Sequence, residues 1–312
     1  MLNRRFLRIK VLQALYGFFS RHDSDVKRGE KEMLKSIDRL YDLYFYMLDL
    51  LLVLQAYAER KIEDGLQKRL PTEADLNPNR RFVDNRIFKV LRENNDFYYN
   101  IEDRTLGWKD HGELIRTIYR EMIESPSYAQ YMARERDDFD SDRELMVWLF
   151  SEVIAPMESI HDILEDHSIY WPDDMALVNS TVLKTLRTAE SEETLTPEPL
   201  FKDPEDRDFA IELFRKTIFH TEEFTERIAK RAVNWESERI AQMDLTLMQM
   251  AICEFMFFPT IPLKVSMNEY IELSKEYSTE RSKTFINGIL DKLLGELQGE
   301  GKVKKIGRGL IG

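Results

Sequence analysis

The amino-acid sequence predicts an all-α protein. Hydrophobic residues recur at the three- and four-residue spacing of a helix along most of the 312 residues, and no segment shows the sustained alternation of apolar and polar residues that is typical of strands. Only 12 glycines and 10 prolines are present, which argues against a β-rich or loop-rich design. With 43% hydrophobic and 33% charged residues, the composition is that of a globular protein and not of a disordered one.

The first predicted helix, about residues 3–20, has two different faces. Its core stripe consists of apolar residues at helical spacing: Leu7, Val11, Ala14, Leu15 and Phe18. Arg5, Arg8, Leu12 and Tyr16 run down a flank about a third of a turn away. One interpretation is a basic helix start in solvent. The other is a nucleic-acid surface, because arginine binds phosphate through forked donors and tyrosine offers a face for base stacking.

The middle of the chain is predicted to be helical throughout. Residues 30–70 read as one long helix or a pair of helices, and the apolar run 41–58 is interpreted as a buried core helix because acids within it would be costly in a membrane. Shorter helices are predicted over 80–94, 111–125, 127–136, 142–166 and 173–189, with a core anchored by Trp108, Trp148, Tyr170 and Trp171. Residues 191–206 contain three prolines and six acids and are the best linker candidate.

The C-terminal third is predicted to form helices over 208–219, 221–234 and 238–258, followed by a helical hairpin. Pro259 and Pro262 end the preceding helix. Ser266, with Glu269 three residues later, has the spacing of a capping box for the next helix, which stops near Tyr277. Ser278 or Thr279 then caps the last helix.

Asn287 and Gly288 fall inside that last helix, where both are weaker helix formers than alanine. One explanation is close helix packing against Gly288, with Asn287 bonded to a neighbouring backbone. The other is that Asn287 faces outward beside Phe285 and binds a polar ligand. The residue types leave both explanations open.

The charge is unevenly distributed along the chain. The net charge of −12 argues against nucleic acid, but residues 1–20 carry +4, residues 281–312 carry +4 and the middle carries −20. If the two ends meet in the fold, they form a basic surface on an acidic body. The single cysteine, Cys253, excludes an internal disulfide and is interpreted as a buried small hydrophobe in a cytoplasmic protein.

The sequence offers only weak signs of catalysis. His161 and His167 lie among acids, but they are six residues apart and point to different faces of one helix, so a metal site there is not expected. We find no glycine-rich phosphate loop, nucleophile elbow or paired-cysteine zinc spacing. A non-catalytic protein without a metal or cofactor is therefore predicted.

Three segments carry a resemblance to a known family. VSMNEYIELSKEYSTERSKTFINGILDKL resembles the C-terminal signature of the bacterial transcription antitermination factor NusB, with its Asn-Glu and Phe-hydrophobic-Asn-Gly elements. ERIAQMDLTLMQMAICEFMF is similar to the helix that precedes it in the family, and RRFLRIKVLQALYGF to the basic first helix. The matches cover residues 1–20 and about 206–295. The sequence departs from the family pattern in two places. The family's Leu-Arg-hydrophobic run appears here as Leu247, Met248 and Gln249, so a basic residue is missing, and Arg281 stands where an acid is usual.

The resemblance implies a NusB-like fold of two packed small helical bundles, enlarged by an inserted helical region. The implied domain is discontinuous, residues 1–20 plus 206–298, with an insertion at 21–190, a linker at 191–205 and a flexible basic tail at 299–312. It also implies RNA-binding residues, namely Arg4, Arg5, Arg8, Tyr16, Phe285 and Asn287. Asp244 and Glu254 match the region that meets a protein partner.

In function, the resemblance implies an RNA-binding antitermination factor. Such a factor binds boxA-type single-stranded RNA together with NusE, a small-subunit ribosomal protein, and acts through the RNA polymerase elongation complex on ribosomal RNA transcription. A cytoplasmic location without a membrane partner is expected. Two alternatives are a helical protein-interaction scaffold that has lost RNA binding, and an accessory module of an RNA methyltransferase. The second would need a glycine-rich Rossmann domain, which the sequence lacks.

Overall fold

The structure of the protein is a computed structural model that describes residues 1–104, 107–108, 110–135, 138–190, 196–232 and 240–310. Within these residues the regular structure is helical, apart from one isolated parallel bridge between Leu2 and Phe201. The predicted all-α class is confirmed.

The helices of the described residues follow one another along the chain. They are α1 (Arg4–Ser20), α2 (Val26–Leu66), α3 (Glu73–Leu76), α4 (Arg86–Glu93), α5 (Asn95–Arg104), α6 (Gly112–Ile123), α7 (Pro126–Ala133), α8 (Phe139–Trp148), α9 (Glu158–His167), α10 (Met175–Arg187), α11 (Glu205–Phe219), α12 (Thr221–Arg231), α13 (Gln242–Phe257), α14 (Leu263–Tyr277) and α15 (Glu280–Gly299). A π-helical turn, Leu149–Ile154, extends α8, and short 3-10 turns occur at Pro172–Asp174 and Gly307–Leu310.

The chain forms two compact units. Unit one comprises residues 1–37 and 201–312, and unit two comprises residues 38–200. The division falls inside α2, whereas the first boundary was expected near residue 20. Unit one contains both basic ends of the chain and has 26 basic and 23 acidic residues, a net charge of +3; unit two has 19 basic and 34 acidic residues, a net charge of −15.

Unit one is built around α13. Every residue from 246 to 255 is buried, because the sequence of α13 is apolar on nearly all sides and such a helix must be covered. The helices α1, α11, α12, α14 and α15 all pack against it. Cys253 is fully buried there, and burial raises the pKa of its thiol to about 12, so its interpretation as a small core residue is confirmed.

Helix α1 begins where its sequence provides a cap. The Asn3 side chain accepts hydrogen bonds from the backbone N–H groups of Arg5 and Phe6, at 3.0 and 3.2 Å. The predicted core stripe is buried, although Ala14 is only half-buried. Leu12, which was placed on the outward flank, is fully buried as well, so the apolar face is wider than its sequence spacing suggested.

The closing hairpin differs from its prediction at one end. Helix α14 starts at Leu263, directly after Pro262, and not at Ser266. The Ser266 hydroxyl points inward and donates to the Glu254 carboxylate, so it does not serve as a cap. At the other end, Thr279 caps α15 by accepting from the backbone N–H of Ser282, as expected.

The tail after α15, expected to be flexible, packs against the end of α13. The Ile306 backbone N–H donates to the Pro259 carbonyl at 3.0 Å. The Lys305 ammonium lies 2.9 Å from the Phe258 carbonyl and 3.4 Å from that of Glu254. A basic side chain at a helix C-terminus satisfies carbonyls that have no partner within the helix, which accounts for the docked position.

Unit two is built around the rest of α2. The interpretation of the apolar run as a core helix is confirmed, because Leu43 to Leu48 are at most 1% exposed. Helix α2 is long and apolar enough to cross a membrane by length and composition, but 67% of its most apolar window is buried inside the protein. Trp108 and Trp171 anchor this core, and their ring N–H groups donate to the backbone carbonyls of Tyr46 and Arg39.

Two predicted features of unit two differ from the structure. The helix expected over 142–166 is divided between α8 with its π-helical extension and α9, because Pro156 lies between them and cannot continue a helix. In the predicted linker, residues 191–195 lie outside the described residues. Just beyond them, the Glu198 backbone N–H donates to the Tyr44 hydroxyl at 3.2 Å, and its carboxylate pairs with Lys184, so this part of the linker is packed.

Candidate nucleic-acid interface

The arginines of α1 have graded exposure. The side chains of Arg4 and Arg5 are each 34% exposed. Arg5 pairs with Glu276 of α14 at 2.6 Å, and Arg4 donates to Asp206 at 3.2 Å while lying over the Phe209 ring. Both guanidinium groups therefore lie at the surface and are held by carboxylates.

Arg8 is in the interior, which does not fit the prediction that it contacts RNA. Its side chain is 3% exposed. Its Nε donates to Glu254 Oε2 at 2.8 Å and its Nη2 to Glu254 Oε1 at 2.6 Å, the two-pronged geometry that arginine forms with a carboxylate. Burial lowers the pKa of Arg8, but the charge of Glu254 and its hydrogen bonds to Arg8, together with smaller effects of Tyr270 and Glu269, outweigh burial and leave that pKa above its ordinary value. The guanidinium is charged and has a buried counter-charge.

Glu254 is the centre of a buried hydrogen-bonded group. Its Oε1 also accepts from the Ser266 hydroxyl at 2.5 Å, and its Oε2 from the Tyr270 hydroxyl at 3.0 Å. Burial, reinforced by the Glu254 charge, raises the pKa of Tyr270 well above its ordinary value, so the hydroxyl stays protonated and can donate. We call Arg8, Glu254, Ser266 and Tyr270 the anchor cluster; it connects α1, α13 and α14.

The two carboxylates expected to meet a protein partner are both buried. Glu254 is fully buried, and Asp244 is 5% exposed and accepts a hydrogen bond from the Ser278 hydroxyl. Asp244 lies in the first turn of α13, and Ser278 lies between α14 and α15. Both carboxylates thus hold helices of unit one together in this structure.

The aromatic and amide candidates are divided between surface and core. Tyr16 is 41% exposed on α1. On α15, Asn287 is exposed, whereas Phe285 is 8% exposed and packs into unit one. A Cβ built on Gly288 would meet nothing within 4 Å, so the close-packing explanation for this glycine is not supported, and the outward position of Asn287 fits the ligand-binding explanation.

The structure brings some candidates together and separates others. Arg4, Arg5 and Tyr16 share α1, and Arg5 reaches α14 through Glu276. Asn287 lies on α15, the other helix of the hairpin. The exposed candidates are therefore Arg4, Arg5, Tyr16 and Asn287, and they all belong to unit one.

Sequence reasoning missed the supporting residues. Ser266 and Tyr270 are four apart and so share one face of a helix, a signal that was present but pointed to no partner. Gln249, which departs from the family pattern, donates to the hydroxyls of Thr221 and Thr225 at 2.9 Å and connects α12 to α13. Arg8 and Glu254 are 246 residues apart, so no short sequence pattern could indicate that they pair.

A metal centre finds no support in the part of the chain that the structure describes. No group of three or more His, Cys, Asp and Glu side chains there is placed to hold a metal ion. His161 is exposed, and its Nε2 lies 3.1 Å from the Ala155 carbonyl oxygen.

Comparison with known proteins identifies the family. The family model of the NusB family matches residues 177–294. The chain is 51% identical over 114 residues to the transcription antitermination protein NusB of Salinibacter ruber, a match covering 36% of this chain and 71% of that protein. This chain belongs to the NusB family. The NusB protein of Koribacter versatilis is 39% identical over 113 residues, covering 36% of this chain and 77% of the relative.

Other comparisons define the limits of the match. The NusB protein of Chloroherpeton thalassium is 40% identical over 117 residues, which cover 38% of this chain and 56% of the relative. No solved structure gave a significant match. The family model begins within α10 and ends within α15, so it includes the anchor residues on α13 and α14 but not α1.

Proposed function

We propose that the protein is a transcription antitermination factor that binds boxA-type single-stranded RNA together with NusE and acts on the RNA polymerase elongation complex during ribosomal RNA transcription. The observation that carries the proposal is the shared domain, 51% identical to a protein named for transcription antitermination. The proposed role is cytoplasmic and non-catalytic, and it needs no cofactor.

In this proposal, unit one supplies the RNA surface. Arg5 can exchange its exposed partner Glu276 for a phosphate, which would supply affinity. Arg4 is held by the buried Asp206, but its side chain is also 34% exposed and can add a phosphate contact from its exposed side. Tyr16 offers an exposed ring on the same helix for base stacking, and Asn287 offers amide donors and acceptors to an unpaired base. The net charge of +3 on unit one supports RNA binding there and not on unit two.

The proposed NusE surface lies at the start of α14, beside the buried Glu254. Asp244 and Glu254 cannot reach a partner from their buried positions, so we assign them a supporting role. The neighbouring face of α14 presents Val265, which is 44% exposed, together with exposed Lys264 and Asn268. An apolar residue among polar ones is the composition of a small protein contact.

The test is a titration of boxA-type RNA against the full chain, with and without NusE, at several salt concentrations. Arg5→Ala is expected to weaken binding and to reduce the salt slope by about 0.7, the value for one lost phosphate contact on a single strand. Arg215→Ala is the matched control, because Arg215 is also a surface arginine of unit one paired with a glutamate, Glu30. Tyr16→Ala is compared with Phe219→Ala, which removes an aromatic side chain that is 69% exposed.

A second candidate function is a helical interaction scaffold without RNA binding. The pairing of Arg4, Arg5 and Arg8 with carboxylates and the net charge of −15 on unit two favour it. If NusE binds while boxA-type RNA does not bind in any condition, the scaffold function replaces the proposed one.

A further inference from the structure

We infer that Arg8 and Glu254 form a positioning pair, which fixes α1 so that Arg4, Arg5 and Tyr16 are presented to RNA, and that Arg8 itself contacts no phosphate. The inference rests on the proposed function. Arg5 and Arg8 are only three residues apart on α1, yet Arg5 is assigned a phosphate contact and Arg8 a positioning role.

The first support is that, in the anchor cluster, the Glu254 carboxylate already has hydrogen-bond partners for both of its oxygens. Both oxygens of Glu254 accept two hydrogen bonds each, from Arg8 and from the hydroxyls of Ser266 and Tyr270. The Arg8 guanidinium also lies 5.4 Å from the centre of the Phe209 ring and 3.6 Å from Glu269. A phosphate that bound Arg8 would have to replace a fully buried carboxylate that the hydroxyls of Ser266 and Tyr270 also hold.

The second support is the contrast with Arg5. The Arg5–Glu276 pair is exposed on both sides, 34% and 47%, and such pairs contribute little to stability. Phosphate can therefore replace Glu276 at low cost. Glu254 has no exposed surface, and removing its partner would leave an uncompensated buried charge.

The third support is helical geometry. Arg8 lies about one turn from Arg5 and about two turns from Tyr16 along α1. A helix is rigid over this distance. The bidentate ion pair of Arg8 with Glu254 therefore fixes both the distance of α1 from α13 and its rotation about its own axis. Residues on its outer flank are then held in one orientation.

The experiment compares two substitutions that remove the same charge. Glu276→Gln and Glu254→Gln are each titrated with boxA-type RNA in the full chain, at a temperature well below unfolding, with the active fraction fixed by stoichiometric titration. Glu276→Gln is expected to tighten binding about 2- to 5-fold, because it frees Arg5. Glu254→Gln is expected to weaken binding about tenfold, the size of effect seen between coupled neighbours.

The salt slope separates positioning from phosphate contact. Arg8→Met is expected to weaken binding without changing the slope, whereas Arg5→Ala reduces it by about 0.7. Arg8→Lys, which keeps the charge but not the forked geometry, is expected to recover binding only partly. If Glu254→Gln does not fold, Tyr270→Phe removes one donor to the same carboxylate and is expected to weaken binding in the same direction.

Two results overturn the inference. One is that Glu254→Gln tightens RNA binding as Glu276→Gln does. The RNA affinity would then depend on the net charge and not on the position of α1. The other is that Arg8→Met reduces the salt slope, which means that Arg8 binds a phosphate. A wild-type chain that binds no RNA overturns the proposed function and the inference together, and this result is distinct because it appears before any substitution.

Discussion

Both units bury a carboxylate that binds an arginine, but the two arrangements join very different parts of the chain. In unit one, Glu254 binds Arg8 across 246 residues. In unit two, Asp142 accepts from the Arg86 backbone N–H and Nε, at 3.1 and 2.7 Å, and from the Tyr131 hydroxyl at 2.7 Å, across 56 and 11 residues. Unit two is therefore assembled from one continuous segment, whereas unit one needs both ends of the chain.

The difference indicates where this chain needs a strong long-range contact. Residues 38–200 lie between the two segments of unit one, and closing so long a loop has an entropic cost that its contacts must offset. A buried ion pair whose carboxylate accepts four hydrogen bonds gives that junction a single geometry. Asp142 joins residues of one continuous segment, so it does not have this role. The side chain of Arg86 is 21% exposed, whereas that of Arg8 is 3% exposed.

The largest expected effect is on unit one. Glu254→Ala is expected to lower the free energy of unfolding by about 3–5 kcal/mol, because it leaves the Arg8 charge buried without its main partner. Urea denaturation followed by circular dichroism measures this change. Glu276→Ala is the control and is expected to cost about 0–1 kcal/mol. An equal loss in both variants would remove the distinction between the buried and the exposed pair.

The corresponding change in unit two is expected to be smaller. Asp142→Ala should cost about 1.5–3 kcal/mol, the range for lost hydrogen bonds to a charged group, since water reaches Arg86. In a Trp235→Phe background, the remaining tryptophans, at 108, 148 and 171, all belong to unit two and report its unfolding by fluorescence. RNA binding should be unchanged; a loss of RNA binding would contradict the assignment of the RNA surface to unit one.

The tail offers a test of how far unit one extends. Gly309→Ala is expected to destabilise unit one by about 1–3 kcal/mol through overpacking, because the new Cβ would lie 2.0 Å from the Pro259 carbonyl oxygen. Gly288→Ala is the opposite control, since the space around it is open and alanine is favoured in a helix by about 1 kcal/mol. Thermal unfolding of both variants should shift in opposite directions. If Gly309→Ala causes no shift while Gly288→Ala still raises the unfolding temperature, the tail does not pack.

The smallest expected effect is a pH dependence of the tail. Burial lowers the pKa of Lys305 from 10.5 to about 8, in spite of the Glu254 charge. Because the docked lysine binds protons less readily than the free one, docking should strengthen as the pH rises from about 8 to about 10.5. Hydrogen exchange of the Ile306 amide across this range measures it, with Lys305→Met as the control. The docked position of Lys305 would be contradicted if the protection of the Ile306 amide fell with rising pH in the wild type but not in Lys305→Met.

Much of the fold could be predicted, because it depends on local patterns. The core stripe of α1, the stop near Tyr277 and the Thr279 cap all follow from spacing and residue type. The Ser266 cap was wrong because a buried carboxylate provides a better partner for its hydroxyl than a helix end does. No local signal could show that partner.

The candidate site could be predicted only in part. Helical spacing places Arg5, Arg8 and Tyr16 on one flank, yet the structure buries Arg8 and leaves Arg5 and Tyr16 at the surface. Which arginine of a basic helix becomes buried depends on residues more than 240 positions away, here Glu254 and Tyr270. Charge by itself cannot separate a positioning residue from a phosphate contact.

The central claim is that unit one of this chain binds boxA-type RNA through the exposed flank of α1. The most direct measurement is the salt dependence of RNA affinity for the wild type, Arg5→Ala and the Arg215→Ala control, with NusE present. We expect salt-dependent wild-type binding, a slope reduced by about 0.7 in Arg5→Ala only, and no change in the control. The claim would be contradicted if the wild type did not bind RNA, or if Arg5→Ala and Arg215→Ala lowered the affinity equally.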